Sequence, residues 1–113
     1  MKPQIKDFFK FLEDVDGRKI PFNVKLLHFP ERITKEDLHV KGNLDLWGTP
    51  IKSLPAGLTV GGWLDLWGTQ ITSLPDGLTV GRDLYLTGTP ISKKYAIKQI
   101  RKMCPGIKGN IYT

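Results

Sequence analysis

Hydrophobic and polar residues alternate in the middle of the chain in a pattern that predicts short strands. A Leu-x-Leu triplet occurs at 44–46, again at 64–66, and a third time at 84–86. The residue between the two leucines is charged or aromatic, so the leucines are expected to face one way and the middle residue the other. A Gly-Thr pair follows each triplet and predicts a turn, after which an isoleucine is expected to point back to the leucine side.

These elements belong to an internal repeat with a fixed period. Segments 40–59 and 60–79 are identical at 15 of 20 positions, and segment 80–92 keeps the start of the pattern before a helical pattern replaces it. A single unit cannot bury its own leucine face. We therefore expect the three units to stack, with parallel strands and shared ladders of leucine, isoleucine and valine.

The repeat motif, L-x-L-x-x-T-x-I-x-x-L-P, resembles the leucine-rich repeat family, in particular its short bacterial and phage-type repeats. This resemblance covers residues 40–92 and implies an α/β solenoid with parallel strands. It also implies a small accessory or inhibitory protein, of phage or bacterial origin, that acts on a host factor. The chain departs from the family pattern in two respects: Thr49, Thr69 and Thr89 stand where asparagine is usual, and Val60-Gly61-Gly62 replaces an earlier leucine.

Each end of a stack exposes apolar interior, so atypical capping elements are expected there. Apolar residues share one helical face in segments 3–15 and 93–104, and Ser92 is the predicted N-cap of the second helix. The apolar positions of the C-terminal helix are Ala96, Ile97, Ile100, Met103 and Cys104. Segment 24–29 is predicted to be extended, and Thr34 to begin a single helical turn, within a degenerate repeat that covers the first strand edge.

The predicted organisation therefore has three parts: an N-terminal helical cap with a degenerate repeat (1–39), the leucine-rich repeats (40–92), and a C-terminal capping helix with a tail (93–113). The chain of 113 residues leaves no room for a second large domain.

Composition narrows the functional classes. One cysteine excludes a disulfide framework and a cysteine-based zinc site, and no metal or other cofactor is expected. No apolar stretch approaches the roughly 18 residues of a membrane span, and the N-terminus lacks the layout of a signal peptide. We expect a small soluble protein of the bacterial or host cytoplasm, without a membrane partner.

The strongest candidate site is the outward side of the strands. Because outward residues of stacked units form columns, the sequence predicts three: Asn43, Trp63 and Asp83; Asp45, Asp65 and Tyr85; Trp47, Trp67 and Thr87. Exposed tryptophan and tyrosine commonly anchor protein interfaces, and the aspartates favour a basic partner. The alternative is that the rings stack only for stability and that the aspartates are merely solvated. Self-association through the same rings is a further prediction.

A second candidate is electropositive. The net charge is +6, and residues 84–113 carry six lysines and arginines and no acid. A basic helix face can contact nucleic acid or an acidic surface, although a capping helix also needs a charged outer side. The residues of this alternative site are Lys93, Lys94, Lys98, Arg101 and Lys102.

Catalysis has little support in the sequence. His28 and His39 have no ligand-type neighbours, and Cys104 is expected on an apolar helix face. The Asp45–Asp65 pair has the spacing of glycosidase carboxylates, but stacking alone produces that spacing. The sequence therefore predicts a protein that is not an enzyme.

Overall fold

The computed structural model describes residues 21–113 of the chain. The helix predicted at 3–15 lies outside the described residues. The chain divides into two compact units, 1–33 and 34–113. Among residues 21–113, no helix is long and apolar enough to span a bilayer.

The described part of the first unit is helical. Helix α1 (Phe22–His28) is followed by a 3-10 turn (Pro30–Arg32). The prediction of an extended segment at 24–29 is therefore wrong. A short apolar run is compatible with either structure, and here Pro21, with φ −57°, precedes the first helical turn, in which Lys25 N–H donates to Pro21 O at 3.1 Å.

The second unit contains two parallel sheets with helices at its C-terminal end, an α/β arrangement. One sheet has the order β1 (His39–Val40), β3 (Thr59–Val60), β5 (Thr79–Val80). The other has the order β2 (Leu44–Asp45), β4 (Leu64–Asp65), β6 (Leu84–Tyr85), β7 (Ile111–Tyr112). Only one strand per repeat was predicted, so the first of these sheets is an addition to the expected architecture.

The pairing register follows the sequence repeat. Leu44 pairs with Leu64 and Leu64 with Leu84, in each case with the equivalent position of the next unit. Regular backbone hydrogen bonds hold this register, for example from Leu46 N–H to Asp65 O at 2.9 Å and from Leu66 N–H to Tyr85 O at 2.9 Å. The predicted parallel strands are confirmed.

Equivalent apolar residues of successive units form the core. The leucines of every Leu-x-Leu triplet and the isoleucines that follow the turns are all buried. The core also contains Leu58, Val60, Leu78, Val80, Ile100, Cys104, Ile107 and Ile111. The predicted inward ladders are therefore confirmed.

The Gly-Thr pairs form the predicted turns. Gly48, Gly68 and Gly88 have φ between 70° and 77°, the left-handed region in which glycine avoids a Cβ clash. The hydroxyl of the threonine that follows each glycine donates to the backbone carbonyl three residues earlier. The Thr69 hydroxyl donates to Leu66 O at 2.7 Å, so it is buried without losing its hydrogen bond.

The C-terminal segment differs from the prediction. It holds two short helices, α2 (Pro90–Lys94) and α3 (Ile97–Met103), in place of one helix over 93–104. Ser92 lies inside α2 and is not an N-cap, because the Thr89 hydroxyl caps that helix by accepting from Ser92 N–H at 3.3 Å. The predicted apolar face is only partly buried: Ile100 and Cys104 are in the core, whereas Ala96, Ile97 and Met103 are exposed.

The break between the helices has a geometric reason. Ile91 and Ile100 are both buried, but their separation along the chain amounts to about 2.5 helical turns, which would place them on opposite sides of one continuous helix. Extended backbone at Tyr95 (ψ 143°) and Ala96 (ψ 159°) separates α2 from α3 and allows both isoleucines to face the core. Gln99 starts the second helix by accepting from Ala96 N–H at 2.8 Å.

The tail after α3 returns to both sheets. Ile107 bridges to Val80 of β5, and Ile111 of β7 pairs with Leu84 of β6. Residues predicted to form a simple tail thus contribute a fourth strand beside the three predicted ones.

Candidate functional site

We define the strand face as the outward-pointing side chains of β2, β4, β6 and β7 and of the residues directly flanking these strands. Strand pairing aligns Asp45, Asp65, Tyr85 and Tyr112 in one row. The leucines beside them are buried, while these side chains are exposed or half-buried. The side chains predicted for this face are therefore brought to one surface of the second unit.

Two tryptophans lie at the outer side of the strand face rather than in the core. Trp47 is 55% exposed and Trp67 is 45% exposed. Their ring centroids are 5.5 Å apart, and the ring planes are tilted by 38°. This contact contributes stability of about 0.5–1.5 kcal/mol, but it leaves about half of each indole accessible to a partner.

A second group of rings runs beside the tryptophan pair. Trp63 meets Tyr85 edge-on with centroids 6.3 Å apart, and Tyr85 stacks on Tyr112 at 5.1 Å with an interplanar angle of 10°. Trp63 and Tyr85 are half-buried, and Tyr112 is exposed. Stacking fixes the orientation of these rings, so the face presents a preorganised aromatic surface.

The aspartates of this face are charged, and they also accept hydrogen bonds from the backbone. Oδ1 of Asp45 accepts from Trp47 N–H at 3.0 Å, and Oδ1 of Asp65 accepts from Trp67 N–H at 2.9 Å. Each bond joins positions i and i+2, which is the short-range pattern by which aspartate supports a turn. The sequence-based alternative of merely solvated aspartates is therefore incomplete.

The remaining polar residues of the face bond across neighbouring strands. Oδ1 of Asn43 accepts from Trp63 N–H, and Oδ1 of Asp83 accepts from Asn110 N–H, both at 2.9 Å. Among the described residues, none of the aspartates of the face forms an ion pair, and each accepts a hydrogen bond from a backbone N–H group.

A cleft opens on the strand face between β4 and β6. It has a volume of about 290 Å³ and is lined by Asp65, Trp67, Tyr85 and Thr87. Two walls are aromatic and one bears a carboxylate. The cleft therefore suits a group that is flat or apolar and also positively charged.

The electrostatics of the cleft act on Tyr85. Partial burial of the phenol is the main reason that the pKa of Tyr85 lies above its ordinary value of 10.0, and the charge of Asp83, neighbouring Tyr112 and the charge of Asp65 add to the effect. The phenol therefore remains neutral at physiological pH and can act as a hydrogen-bond donor.

Tyr112 was missed by the sequence reasoning, although the sequence contains a signal for it. Segment 107–112 reads Ile-Lys-Gly-Asn-Ile-Tyr, and segment 40–45 reads Val-Lys-Gly-Asn-Leu-Asp. The two segments share Lys-Gly-Asn between apolar positions. However, β7 follows β6 at a longer interval than the repeat period, so a search at a fixed period passes over it.

The alternative basic site is divided between two helices. Lys93 and Lys94 belong to α2, whereas Lys98, Arg101 and Lys102 belong to α3. All five side chains are exposed. They therefore do not form the single helical face that the sequence predicted.

Two of these five cations have partners within the chain. The Arg101 guanidinium donates to Ile107 O at 3.2 Å and to Gly109 O at 2.9 Å, and the Lys94 ammonium lies 5.4 Å from the centre of the Tyr95 ring. Arg101 thus fastens the chain between α3 and β7, a structural role that the sequence reasoning did not foresee.

Other potentially reactive residues do not converge in the part of the chain that the structure describes. Cys104 is buried, and burial together with the charge of Asp76 raises the pKa of its thiol. Residues 21–113 contain no group of three or more histidine, cysteine, aspartate or glutamate side chains that could hold a metal ion.

No protein family, no curated protein and no solved structure matches this chain. The geometry of the strand face is therefore the basis for inferring its function.

Proposed function

We propose that the chain is a short leucine-rich repeat solenoid of α/β class and that its strand face binds a protein partner without catalysis. The unit-to-unit pairing register, the buried leucine ladders and the glycine turns support the architecture. The proposed binding residues are Asn43, Asp45, Trp47, Trp63, Asp65, Trp67, Asp83 and Tyr85, and we add Tyr112 because its ring stacks on that of Tyr85.

One observation carries this proposal: the indoles of Trp47 and Trp67 stack on each other and are still about half exposed. Large rings on a surface keep apolar area in contact with water, and covering that area contributes about 25 cal/mol per Å². Tryptophan and tyrosine also lose little conformational entropy on binding when their rings are already held. A partner that covers these rings would gain affinity from preorganised anchors.

The aspartates of the strand face determine which surface charge we expect on the partner. Asp45 and Asp65 occupy neighbouring positions on the face, and Asp83 lies directly before the next strand. Like charges at adjacent strand positions repel by roughly 1 kcal/mol even in water. A basic surface would relieve this repulsion and would be steered toward the face.

The strand face is narrow, which restricts how a partner binds. Four strands at a spacing of about 4.8 Å make the face less than about 20 Å across. A face this narrow has a smaller area than the roughly 800 Å² that each partner contributes to a standard interface. A tight complex therefore also uses neighbouring surface of the second unit, or a second copy of the chain. We take the partner to be a host factor that a phage or bacterial accessory protein inhibits.

Affinity capture with matched variants tests the proposal. A Trp47→Ala/Trp67→Ala double variant is expected to lose the partner that the parent protein retains, because both anchors are removed. The control is Lys93→Glu/Lys98→Glu, which changes exposed cations away from the strands. The proposal fails if the tryptophan variant retains the partner or if only the lysine variant loses it.

The alternative function is an electropositive module that contacts nucleic acid or an acidic surface. It is favoured by the exposed Lys93, Lys98 and Lys102, which form no ion pair among the described residues. Binding of this kind weakens steeply with salt. An electrophoretic shift of generic DNA at two ionic strengths, abolished by Lys93→Glu/Lys98→Glu, would support the alternative against the strand face.

Self-association through the same rings makes a separate prediction. If copies of the chain cover each other's tryptophans, light scattering gives a mass above that of one chain for the parent protein. The Trp47→Ala/Trp67→Ala variant then gives the mass of a single chain. A single-chain mass for both proteins excludes self-association and leaves the face free for another protein.

A further inference from the structure

The cleft between β4 and β6 exists because the tryptophan column stops one unit short. Trp47 and Trp67 occupy equivalent positions in successive units, and the next unit has Thr87 there. A third indole would continue the stack on Trp67. The small threonine stands in place of a third indole, and Trp67 and Thr87 both line the cleft.

The opposite wall of the cleft also departs from the repeat. Tyr85 stands where the two preceding units have aspartate, and its ring is fixed by stacking on Tyr112 at 5.1 Å. The cleft is therefore bounded by the indole of Trp67 and by a phenol that cannot easily turn away. Both walls keep their shape before any ligand arrives, which reduces the entropy lost on binding.

One oxygen of the Asp65 carboxylate can accept a hydrogen bond from a ligand in the cleft. Oδ1 of Asp65 is held by Trp67 N–H at 2.9 Å, whereas no described residue bonds to its Oδ2. No cation among residues 21–113 pairs with this carboxylate. Its negative charge lies beside an aromatic wall and has no counterpart within the described part of the chain.

We propose that this cleft receives an arginine side chain of the partner protein, with the guanidinium flat against Trp67 and one N–H donating to Oδ2 of Asp65. A guanidinium is planar, weakly hydrated and positively charged, so it can replace the missing third ring of the column and also neutralise the carboxylate. A lysine ammonium supplies the charge but not the flat shape. This inference rests on the proposed function, since it names the chemistry of the partner that the strand face binds.

The test uses a small probe and needs no knowledge of the partner. N-acetyl-arginine amide is titrated into isotope-labelled protein at constant ionic strength while the indole N–H signals are followed by NMR. An isolated side chain is expected to bind with a Kd on the order of 1 mM. The Trp67 signal, identified by its loss in Trp67→Phe, should shift in a saturable manner and by more than the Trp47 signal.

Two related probes separate charge from shape. The citrulline analogue keeps the planar end group but is neutral, and is expected to bind about fivefold more weakly or worse. The lysine analogue keeps the charge without the plane, and should also bind more weakly than arginine. Equal binding of citrulline and arginine, or tighter binding of lysine, would overturn the proposal.

Matched protein variants test the site itself. Asp65→Asn removes the charge but keeps an oxygen that can accept from Trp67 N–H, so the fold is preserved while arginine binding falls about fivefold. Asp76→Asn makes the same change at an exposed residue that neither lines the cleft nor belongs to the strand face, and should leave binding unchanged. Thr87→Trp should fill the cleft and abolish binding, whereas Thr87→Ser should leave it open.

The result can be distinguished from a failure of the proposed function. If partner capture depends on Trp47 and Trp67 but the probe does not bind at Trp67, the arginine cleft is refuted and the strand face remains the binding surface. If the probe binds as described but capture is insensitive to both tryptophans, the proposed function is refuted and the cleft remains a guanidinium site.

Discussion

Gly81→Ala is expected to destabilise the second unit, because the added Cβ would collide with the backbone carbonyl oxygen of Gly61 in the neighbouring strand segment. That oxygen cannot swing aside, since Val60 and Val80 pair in the sheet and Gly81 N–H donates to Val60 O at 2.8 Å. Overpacking against a fixed neighbour costs about 1–3 kcal/mol of unfolding free energy. For a unit of this size, the melting temperature should fall by about 4–24 °C.

Gly42→Ala provides the matched control. No atom lies within 4 Å of the Cβ added there, and the φ of Gly42 is not positive. Alanine also restricts the unfolded chain, so this variant should be neutral or more stable by up to about 1 kcal/mol. Thermal and urea unfolding, followed by circular dichroism, compare the two variants with the parent. Equal stability of Gly81→Ala and parent, or equal losses in both variants, would refute the reasoning about close strand stacking.

Three further predictions concern individual side chains. Arg101→Ala should lower the unfolding free energy by about 1 kcal/mol in urea titrations because the bond to Ile107 O is lost, whereas Lys98→Ala should change it by less than about 0.5 kcal/mol. The pKa of Tyr85 is raised in the folded protein, so the protonated phenol favours the folded state. This contribution to the unfolding free energy is complete below the ordinary pKa of 10.0 and is lost as pH rises through the folded value. The stability of the parent relative to Tyr85→Phe, measured by urea unfolding, should therefore decline above that pH, and a constant difference would contradict the shift. Cys104 should react slowly with iodoacetamide in the native protein and rapidly in urea, as followed by mass spectrometry, because burial shields the thiol and raises its pKa.

The repeat made the central strands and the core predictable. Leu64 and Leu84 recur at a constant spacing, so a single assignment for one unit extends to the others, and the buried ladders follow. The turns at Gly48 and Gly68 were predictable for the same reason. In contrast, Thr59 and Val60 form a strand next to two glycines, and that strand is too short to show an alternating pattern.

The C-terminal segment was less predictable because two periodicities compete there. A helical pattern from Lys93 to Cys104 is present in the sequence, but burial of both Ile91 and Ile100 requires a break that the helical pattern conceals. The segment ending in Tyr112 then resumes the repeat after an insertion, out of phase with the period of the preceding units. Tertiary packing, which single-sequence patterns do not contain, decided both outcomes.

The candidate site lies where the repeat is broken rather than where it is regular. In the third unit the inward residues Leu84 and Leu86 are unchanged, so the buried leucine ladders of the core continue through this unit. The outward positions change together: tyrosine replaces aspartate at 85, and threonine replaces tryptophan at 87. Neither change is required by the core, because both side chains point away from it. The residues at both positions line the cleft beside Asp65, so the proposed arginine site depends on the two outward changes that distinguish the third unit from the preceding ones.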